Sequence, residues 1–446
     1  MLFSKNMFKK ISLAAGTLSA NRYTENTYWL LAERIIRISI NFLITIYLVR
    51  YLGPLKFGLL SYAISYFGIL SSFASLGLDS ILVRELVVDA DKENQLLATS
   101  FYLRLIASVA TIFLVLMTLL ATSEDISTSL LIIIISSSVI FQSFNVIDYY
   151  FQAKVQSKFV VYSQLFSLII SAIIKVFLIY YKANLIYFAI AITIESLLLS
   201  LGLYFIFKKE NLNKLKWQFD YDIAKKLLKD SFPLILSGIV IAIYMKIDQI
   251  MIKNMLAANE LGFYASAVKI CESFYFIPMA VANSVFPAII SARTRSKKLY
   301  KLRLQQLYDL MSWISIGIAI VITLFASQIV ILLYGEKFIS ASPVLQIYIW
   351  SAVATFLGVA SSQFLVAENL TKISFYRTLI GMIINVILNF ILIPRVGIIG
   401  SAIATLISYS AATFSLLFWQ STYKQVVMMI KSIFLISLYE YWKKEG

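Results

Sequence analysis

The chain has 446 residues, 60% of them hydrophobic and only 14% charged, and its mean hydropathy is +0.84. A water-soluble domain carries about 25% charged residues, so a soluble globular protein is excluded. The formal charge is +16 and there is no histidine, which removes His-based acid–base catalysis, His metal ligands and a Ser–His–Asp triad together.

Residues 1–27 place Lys5, Lys9 and Lys10 before ISLAAGTLSA. Gly16, Thr17 and Ser19 break that apolar stretch, so the segment reads as a cytoplasmic leader rather than a signal peptide. Six apolar runs follow, at 28–49, 57–83, 96–121, 129–153, 160–180 and 184–207, and form an N-lobe over 28–207. Each is long enough to cross a hydrocarbon core as a helix, and runs such as LLIIIISSSVIF are continuous rather than alternating, unlike barrel strands. A basic cytoplasmic linker, 208–230, carries Lys208, Lys209, Lys214, Lys216, Lys225, Lys226 and Lys229. Six more runs, at 232–256, 261–291, 307–334, 344–367, 373–393 and 398–420, form a C-lobe over 231–423, and an amphipathic tail on the cytoplasmic side closes the sequence at 424–446. The reading is an all-α integral membrane protein with about 12 transmembrane helices in two six-helix lobes.

Basic residues set the topology. With the N-terminus inside, the outer turns hold only Arg50, Lys56, Lys182, Lys253, Lys337 and Arg395, while the inner loops hold dense groups such as Arg293, Arg295, Lys297, Lys298, Lys301 and Arg303. The positive-inside rule places both termini in the cytoplasm. The high pI thus reports topology, and no motif speaks for nucleic acid.

The two lobes resemble each other. VRYLGPLKFGLLSYA aligns with KNMLAANELGFYASA, pairing Leu52 with Leu256, Gly58 with Gly262 and Ala63 with Ala267. AKVQSKFVVYSQL aligns with AENLTKISFYRTL, pairing Ala153 with Ala367, Lys158 with Lys372 and Tyr162 with Tyr376. Each lobe starts inside, so the repeat is parallel, an arrangement transporters use with a site between the copies.

Charges inside apolar runs mark candidate sites, because a charge at the bilayer centre costs about 2.5–3.5 kcal/mol. In YMKIDQIMIKNML, Lys246 lies about 21 Å into its helix and Asp248 deeper. Glu33 and Arg37 share a face at i, i+4, beside Arg34; Lys269 and Glu272 share one at i, i+3. Arg104, Lys175 and Glu195 are further intramembrane charges, and Asp79 and Asp148 lie nearer the cytoplasmic ends; Lys175, Glu195, Asp79 and Asp148 read as structural, either pairs that lock helices together or charges at the interface. Arg34, Arg37, Lys246 and Lys269 are candidates for a hydrated cationic cavity that takes an anion such as phosphate. Glu33, Asp248 and Glu272 are candidates for coupling or charge pairing. Tyr62, Tyr66, Tyr244 and Tyr275 lie on the same helices and offer ring faces to a sugar, with helix packing as the alternative use. Pro278 and Pro287 are expected to bend the eighth helix. The sequence has no Gly-rich phosphate loop, CxxC or HExxH, so neither a nucleotide-hydrolysing module nor a metal or cofactor is expected; the lone Cys271 cannot form an internal disulfide.

NFLITIYLVRYLGPLKFGLLSYAISYFGILSSFASLGLDSILVREL resembles the first two helices of Wzx-type polysaccharide flippases, and KIDQIMIKNMLAANELGFYASAVKI resembles their seventh and eighth. The second copy departs from the pattern, with LGPLKFG replaced by LAANELG. The resemblance implies the MATE-like V of two lobes around a central cationic cavity, within the superfamily of multidrug antiporters and peptidoglycan-precursor flippases. It implies a transporter rather than an enzyme. By alternating access it would move undecaprenyl-pyrophosphate-linked oligosaccharide from the cytoplasmic to the outer leaflet of a bacterial inner (plasma) membrane, for O-antigen or capsule assembly. Membrane lipid and other polysaccharide assembly proteins are the implied partners. Arg34, Arg37, Lys246 and Lys269 are by position the matching basic residues. Two rivals stand beside this reading: a MATE-like cation-coupled drug antiporter, which would draw on Asp248 and Glu272, and a membrane glycan polymerase, which would call for a sizeable catalytic loop.

Overall fold

A computed structural model describes residues 19–122, 124–211 and 218–436. The leader up to residue 18 and the tail from 437 lie outside the described residues. Every regular element is helical, with no strand among the described residues. Helix α1 is Ser19–Ser75, α2 Leu78–Val88, α3 Glu93–Thr122, α4 Ile126–Ser137, α5 Asn145–Ala153, α6 Lys158–Tyr180 and α7 Leu185–Asn211. Helix α8 is Tyr221–Met255, α9 Ala258–Glu272, α10 Phe276–Arg295, α11 Lys297–Leu324, α12 Ala326–Tyr334, α13 Ser342–Tyr348, α14 Ser351–Ala367, α15 Thr371–Val396, α16 Ile398–Phe414 and α17 Tyr423–Ile433.

Ten of the described helical runs are long and apolar enough to cross a membrane, and eleven if one bent pair counts as a span. The first run, Glu25–Val88, has 64 residues. At 1.5 Å per residue it is about 96 Å long, far more than one hydrocarbon core, so it must cross twice. The division falls at Gly53, with φ 69° and ψ 174°. Glycine alone adopts this φ without steric cost, and the following Pro54 pushes its predecessor toward extended ψ. The corresponding Ala257 sits at φ −160°, ordinary extended backbone, which explains why the second copy needs no glycine there.

The repeat is visible in the backbone itself. The fourth span of each copy is broken in mid-course: α4 and α5 are joined by a 3₁₀ segment, Ser138–Phe144, and α14 bends by 46° from the segment before it. Both spans end in the same cap. Gln156 N–H bonds Phe151 O at 2.8 Å and Lys154 N–H bonds Tyr150 O at 3.1 Å; in the other copy Leu370 N–H bonds Leu365 O at 2.7 Å and Glu368 N–H bonds Phe364 O at 2.9 Å. This is the 6→1 Schellman bond, which needs a left-handed residue. Val155, at φ 55°, and Asn369, at φ 62°, supply it at equivalent places. Asn tolerates that conformation, whereas a β-branched Val is strained in it. Val155→Asn is expected to raise stability by about 1 kcal/mol, measured as a higher thermal midpoint of the full chain in detergent.

The described residues form two compact units, one from 19–45 and 70–238, the other from 46–69 and 239–436. In the first, Leu82, Leu97, Val146, Phe151 and Leu203 form the core, and Ile223 and Leu227 from the start of α8 join it. The segment expected as a linker therefore has helix at both ends: α7 runs to Asn211 and α8 begins at Tyr221, with 212–217 outside the described residues. The reason is local. Asp220 caps α8, its Oδ1 accepting Ile223 N–H at 3.0 Å, and its own N–H reaches Thr99 Oγ1 at 3.0 Å. Ile223, Ala224 and Leu227 then turn inward.

In the second unit, α1 and α9 cross at backbone contact. A Cβ on Gly58 would stand 1.8 Å from Ala258 O, and one on Gly262 would stand 2.0 Å from Pro54 O. Pro54 and Gly58 align with Ala258 and Gly262, so the two repeat glycines face each other's helix symmetrically. Arg50 donates to Leu333 O at 2.6 Å and to Leu332 O, serving the open carbonyl end of α12. The apolar run expected as one helix over 261–291 breaks at 273–275, between α9 and α10, so that Pro278 falls in the first turn of α10, where its missing N–H has no intrahelical partner to lose. The tail expected at the interface begins with α17, which packs on α11: Tyr308 OH donates to Gln425 Oε1 at 2.9 Å and Trp313 Nε1 to Ser432 O at 3.0 Å.

Candidate functional site

The charges fall into a separate constellation in each unit. In the first, Arg37 Nε donates to Glu33 Oε1 as an i, i+4 ion pair along α1, with Glu33 buried and Arg37 half-buried. Arg34 is exposed on the next face. Buried Arg104 on α3 is held by Asp79 Oδ1 at 3.0 Å and Tyr149 OH at 3.1 Å, and Tyr149 OH in turn donates to Asp79 at 2.6 Å. Asp148 accepts from Gln152 at 2.8 Å. Lys175 and Ser171 both donate to Glu195, at 2.9 and 2.6 Å, locking α6 to α7. A charge deep in an apolar segment is retained at tolerable cost when it is paired and hydrogen-bonded in this way.

In the second unit, Lys246 Nζ lies 3.1 Å from Glu272 Oε1 and Lys269 Nζ lies 3.3 Å from Glu272 Oε2. Two ammonium groups thus share one carboxylate, and the triad carries a formal surplus of one positive charge. Lys269 remains 45% exposed along its side chain. The stem of Lys246 passes over Gly68, whose Cβ position lies 4.0 Å from Lys246 Cγ. Asp248 does not pair with Lys246. Two residues apart on a helix point to different sides, and Asp248 is buried, accepting from Tyr264 OH at 2.5 Å and from Gln249 N–H at 2.8 Å. Tyr264 OH also lies 3.4 Å from Thr405 Oγ1. Gln249 Oε1 accepts from Ser65 Oγ at 2.8 Å.

Three of the four tyrosines read as sugar platforms, Tyr62, Tyr66 and Tyr244, are built into packing. Tyr62 and Tyr66 are 1% and 8% exposed and meet edge-on at 5.9 Å, so neither has an open ring face. Lys253 Nζ sits 4.7 Å from the Tyr62 centroid. Tyr244 lies 4.7 Å from Tyr409, centroid to centroid, and packs on Gly381, where a Cβ would stand 2.8 Å from its ring. Tyr275 is half-buried at the start of α10.

Arg377 on α15 is a charge the sequence pattern conceals. It is 9% exposed, and its guanidinium donates to Ser361 Oγ at 2.5 Å, Ser362 Oγ at 2.7 Å and Gly358 O at 3.2 Å. No carboxylate lies within ion-pair distance of it among the described residues. Its repeat counterpart is Ser163, and that exchange of a hydroxyl for a guanidinium was the available signal. Lys cannot reproduce a three-bond fork. Arg377→Lys is expected to cost about 1.5–3 kcal/mol for each charged hydrogen bond lost, read as a lower thermal midpoint in detergent. Among the described residues no group of three or more His, Cys, Asp or Glu side chains is placed to hold a metal ion.

Fold and charge pattern together define a multi-pass helical membrane protein built on an internal repeat. Residues 23–293 match the polysaccharide biosynthesis protein family, and the chain belongs to that family. Residues 233–391 also match the MatE family. The chain is 27% identical over 197 residues to the probable low-salt glycan biosynthesis flippase Agl15 of Haloferax volcanii, an alignment covering 43% of this chain and 40% of that protein, less than half of its length. Among solved structures, the lipid II flippase MurJ in an inward closed conformation superposes with a TM-score of 0.69 at 18% identity, over 95% of this chain and 93% of that one. An inward-facing multidrug resistance MATE family transporter of the MOP superfamily gives 0.69 at 16% identity, over 91% and 96%. The fold is therefore MATE-like.

Proposed function

We propose that this protein is a flippase for polyprenyl-pyrophosphate-linked oligosaccharide, carrying repeat units from the cytoplasmic to the outer leaflet by alternating access for O-antigen or capsular polysaccharide assembly. The observation that carries the reading is the triad in which Lys246 and Lys269 share Glu272. A half-exposed cationic surplus on a spanning segment is costly unless an anion visits it, and a pyrophosphate is such an anion. Arg34 and the Glu33–Arg37 pair on α1 are, within the first unit, further candidates to meet an anion. Asp248, buried against Tyr264, is the group for coupling to a cation or proton. The polyprenyl chain stays in lipid, and the protein acts as a transporter rather than an enzyme. It resides in the plasma membrane with both termini cytoplasmic, and works with other polysaccharide assembly proteins.

A second reading, cation-coupled drug antiport, draws on the MatE match and on buried Asp248. Two experiments separate them. In a strain lacking the gene, Gln variants at Arg34, Arg37, Lys246 and Lys269 together are expected to abolish surface glycan while the protein still inserts; full complementation by that variant contradicts the site. Loss of drug resistance with normal surface glycan in the deletion strain would favour the antiporter.

A further inference from the structure

A cavity at the start of α1 lies apart from the charged groups described above and has a different chemistry. It has a volume of about 150 Å³ and is lined by Glu25, Asn26, Trp29, Gln156, Lys158 and Phe159, together with the strained Val155. Two segments build it, α1 and the link from α5 to α6. Asn26 Oδ1 accepts the Ser157 N–H at 2.7 Å, which fixes one to the other. Tyr162 meets Trp29 edge-on, with centroids 5.4 Å apart and planes at 68°, and so holds the indole in place.

The lining has one carboxylate, one ammonium and two amides, hence no net formal charge but both donors and acceptors. A phosphate would meet Glu25 as well as Lys158. A neutral polyol ring has one apolar face for an aromatic side chain and hydroxyls that need paired donors and acceptors, and this cavity offers both. Its register supplies the link to the rest of the site. Asn26, Trp29, Glu33 and Arg37 follow at steps of three, four and four, on one face of α1. Trp29 and Arg37 are separated by about 12 Å along the axis.

From this juxtaposition we infer that the Trp29 cavity is a capture subsite for one sugar ring of the glycan, on the same helix face as the Arg37 that meets its pyrophosphate. This rests on the reading of the chain as a lipid-linked glycan transporter, to which Tyr62 and Tyr66 offer no open ring face. The test is saturation-transfer NMR on the purified full chain, with glucose, galactose, rhamnose and N-acetylglucosamine as probes, and inorganic pyrophosphate in a separate arm. At least one sugar is expected to give transfer, weakened about tenfold by Trp29→Ala and largely restored by Trp29→Phe, with pyrophosphate binding unchanged. Gln156→Ala, which leaves the aromatic pair intact, is expected to weaken the same sugar, and guards against a Trp29 variant that fails to fold. The inference is overturned if no sugar binds the wild-type chain, if binding survives Trp29→Ala, or if Lys158→Gln abolishes pyrophosphate binding at this place. Sugar binding lost in Trp29→Ala in a protein that moves no lipid-linked glycan would leave the subsite standing and defeat the transport reading alone.

Discussion

Glu272→Gln is expected to be the most damaging single exchange in the chain. It leaves Lys246 and Lys269, now 3.1 and 3.3 Å from the two carboxylate oxygens, facing a neutral amide within the membrane. Removing one partner of a fully buried ion pair costs about 3–5 kcal/mol; here Lys246 and Glu272 are partly buried and Lys269 is 45% exposed, which lowers the cost, but two cations lose their counter-charge at once. The expected result is a large drop in thermal midpoint and loss of surface glycan. A second exchange decides why. In Lys246→Gln/Glu272→Gln a single ammonium remains, on the half-exposed Lys269, so stability should recover toward wild type while export stays low. If Glu272→Gln is as stable as wild type, Glu272 does not act as the shared counter-ion of Lys246 and Lys269, and the anion-binding argument loses its base.

Gly58→Ala and Gly262→Ala form the second large effect. Each adds a Cβ where the nearest backbone oxygen is 1.8 or 2.0 Å away, so the helices must separate. Overpacking of a tight core costs about 1–3 kcal/mol. A clash with carbonyl oxygens, which have no rotamer to move into, belongs at the upper end or beyond. Because the two glycines touch the same crossing, the double variant should cost less than the sum of the singles: once the helices have moved apart for the first methyl, the second has room. Thermal denaturation of the two singles and the double gives the coupling directly, and strict additivity would show that the crossing is not shared. Gly317, where a Cβ meets nothing within 4 Å, is the control and should tolerate alanine sterically.

The spans were legible from sequence because lipid imposes a length and a composition that a run of residues either has or lacks. The repeat was legible because Gly58 and Gly262 answer to one close crossing, and backbone contact leaves no substitute for glycine. The pairs Glu33–Arg37 and Lys269–Glu272 followed from helical spacing alone. The rest needed contacts between distant segments. Lys246 and Asp248 look like partners two residues apart, yet the helix turns them to different sides and each finds its partner elsewhere, in Glu272 and Tyr264. Arg377 sits six residues into its helix, where a cation is ordinarily assigned to the interface, and the hydroxyls of Ser361 and Ser362 with the carbonyl of Gly358, all on α14, explain its burial. Breaks in mid-span, such as Ser138–Phe144, keep the same apolar content as regular helix and leave no compositional trace. Trp29 lies at the edge of an apolar run, and its role depends on residues 155–159.

The central claim is translocation of an anionic lipid-linked glycan, and leaflet accessibility tests it most directly. The full chain is reconstituted into liposomes containing a polyprenyl-pyrophosphate-linked oligosaccharide, and the fraction of glycan open to an external, membrane-impermeant glycosidase is followed with time. The account predicts that wild-type protein exposes glycan initially on the inner leaflet, beyond the protein-free background, and that the fourfold Gln variant at Arg34, Arg37, Lys246 and Lys269 does not. Equal accessibility with and without the wild-type protein would contradict it.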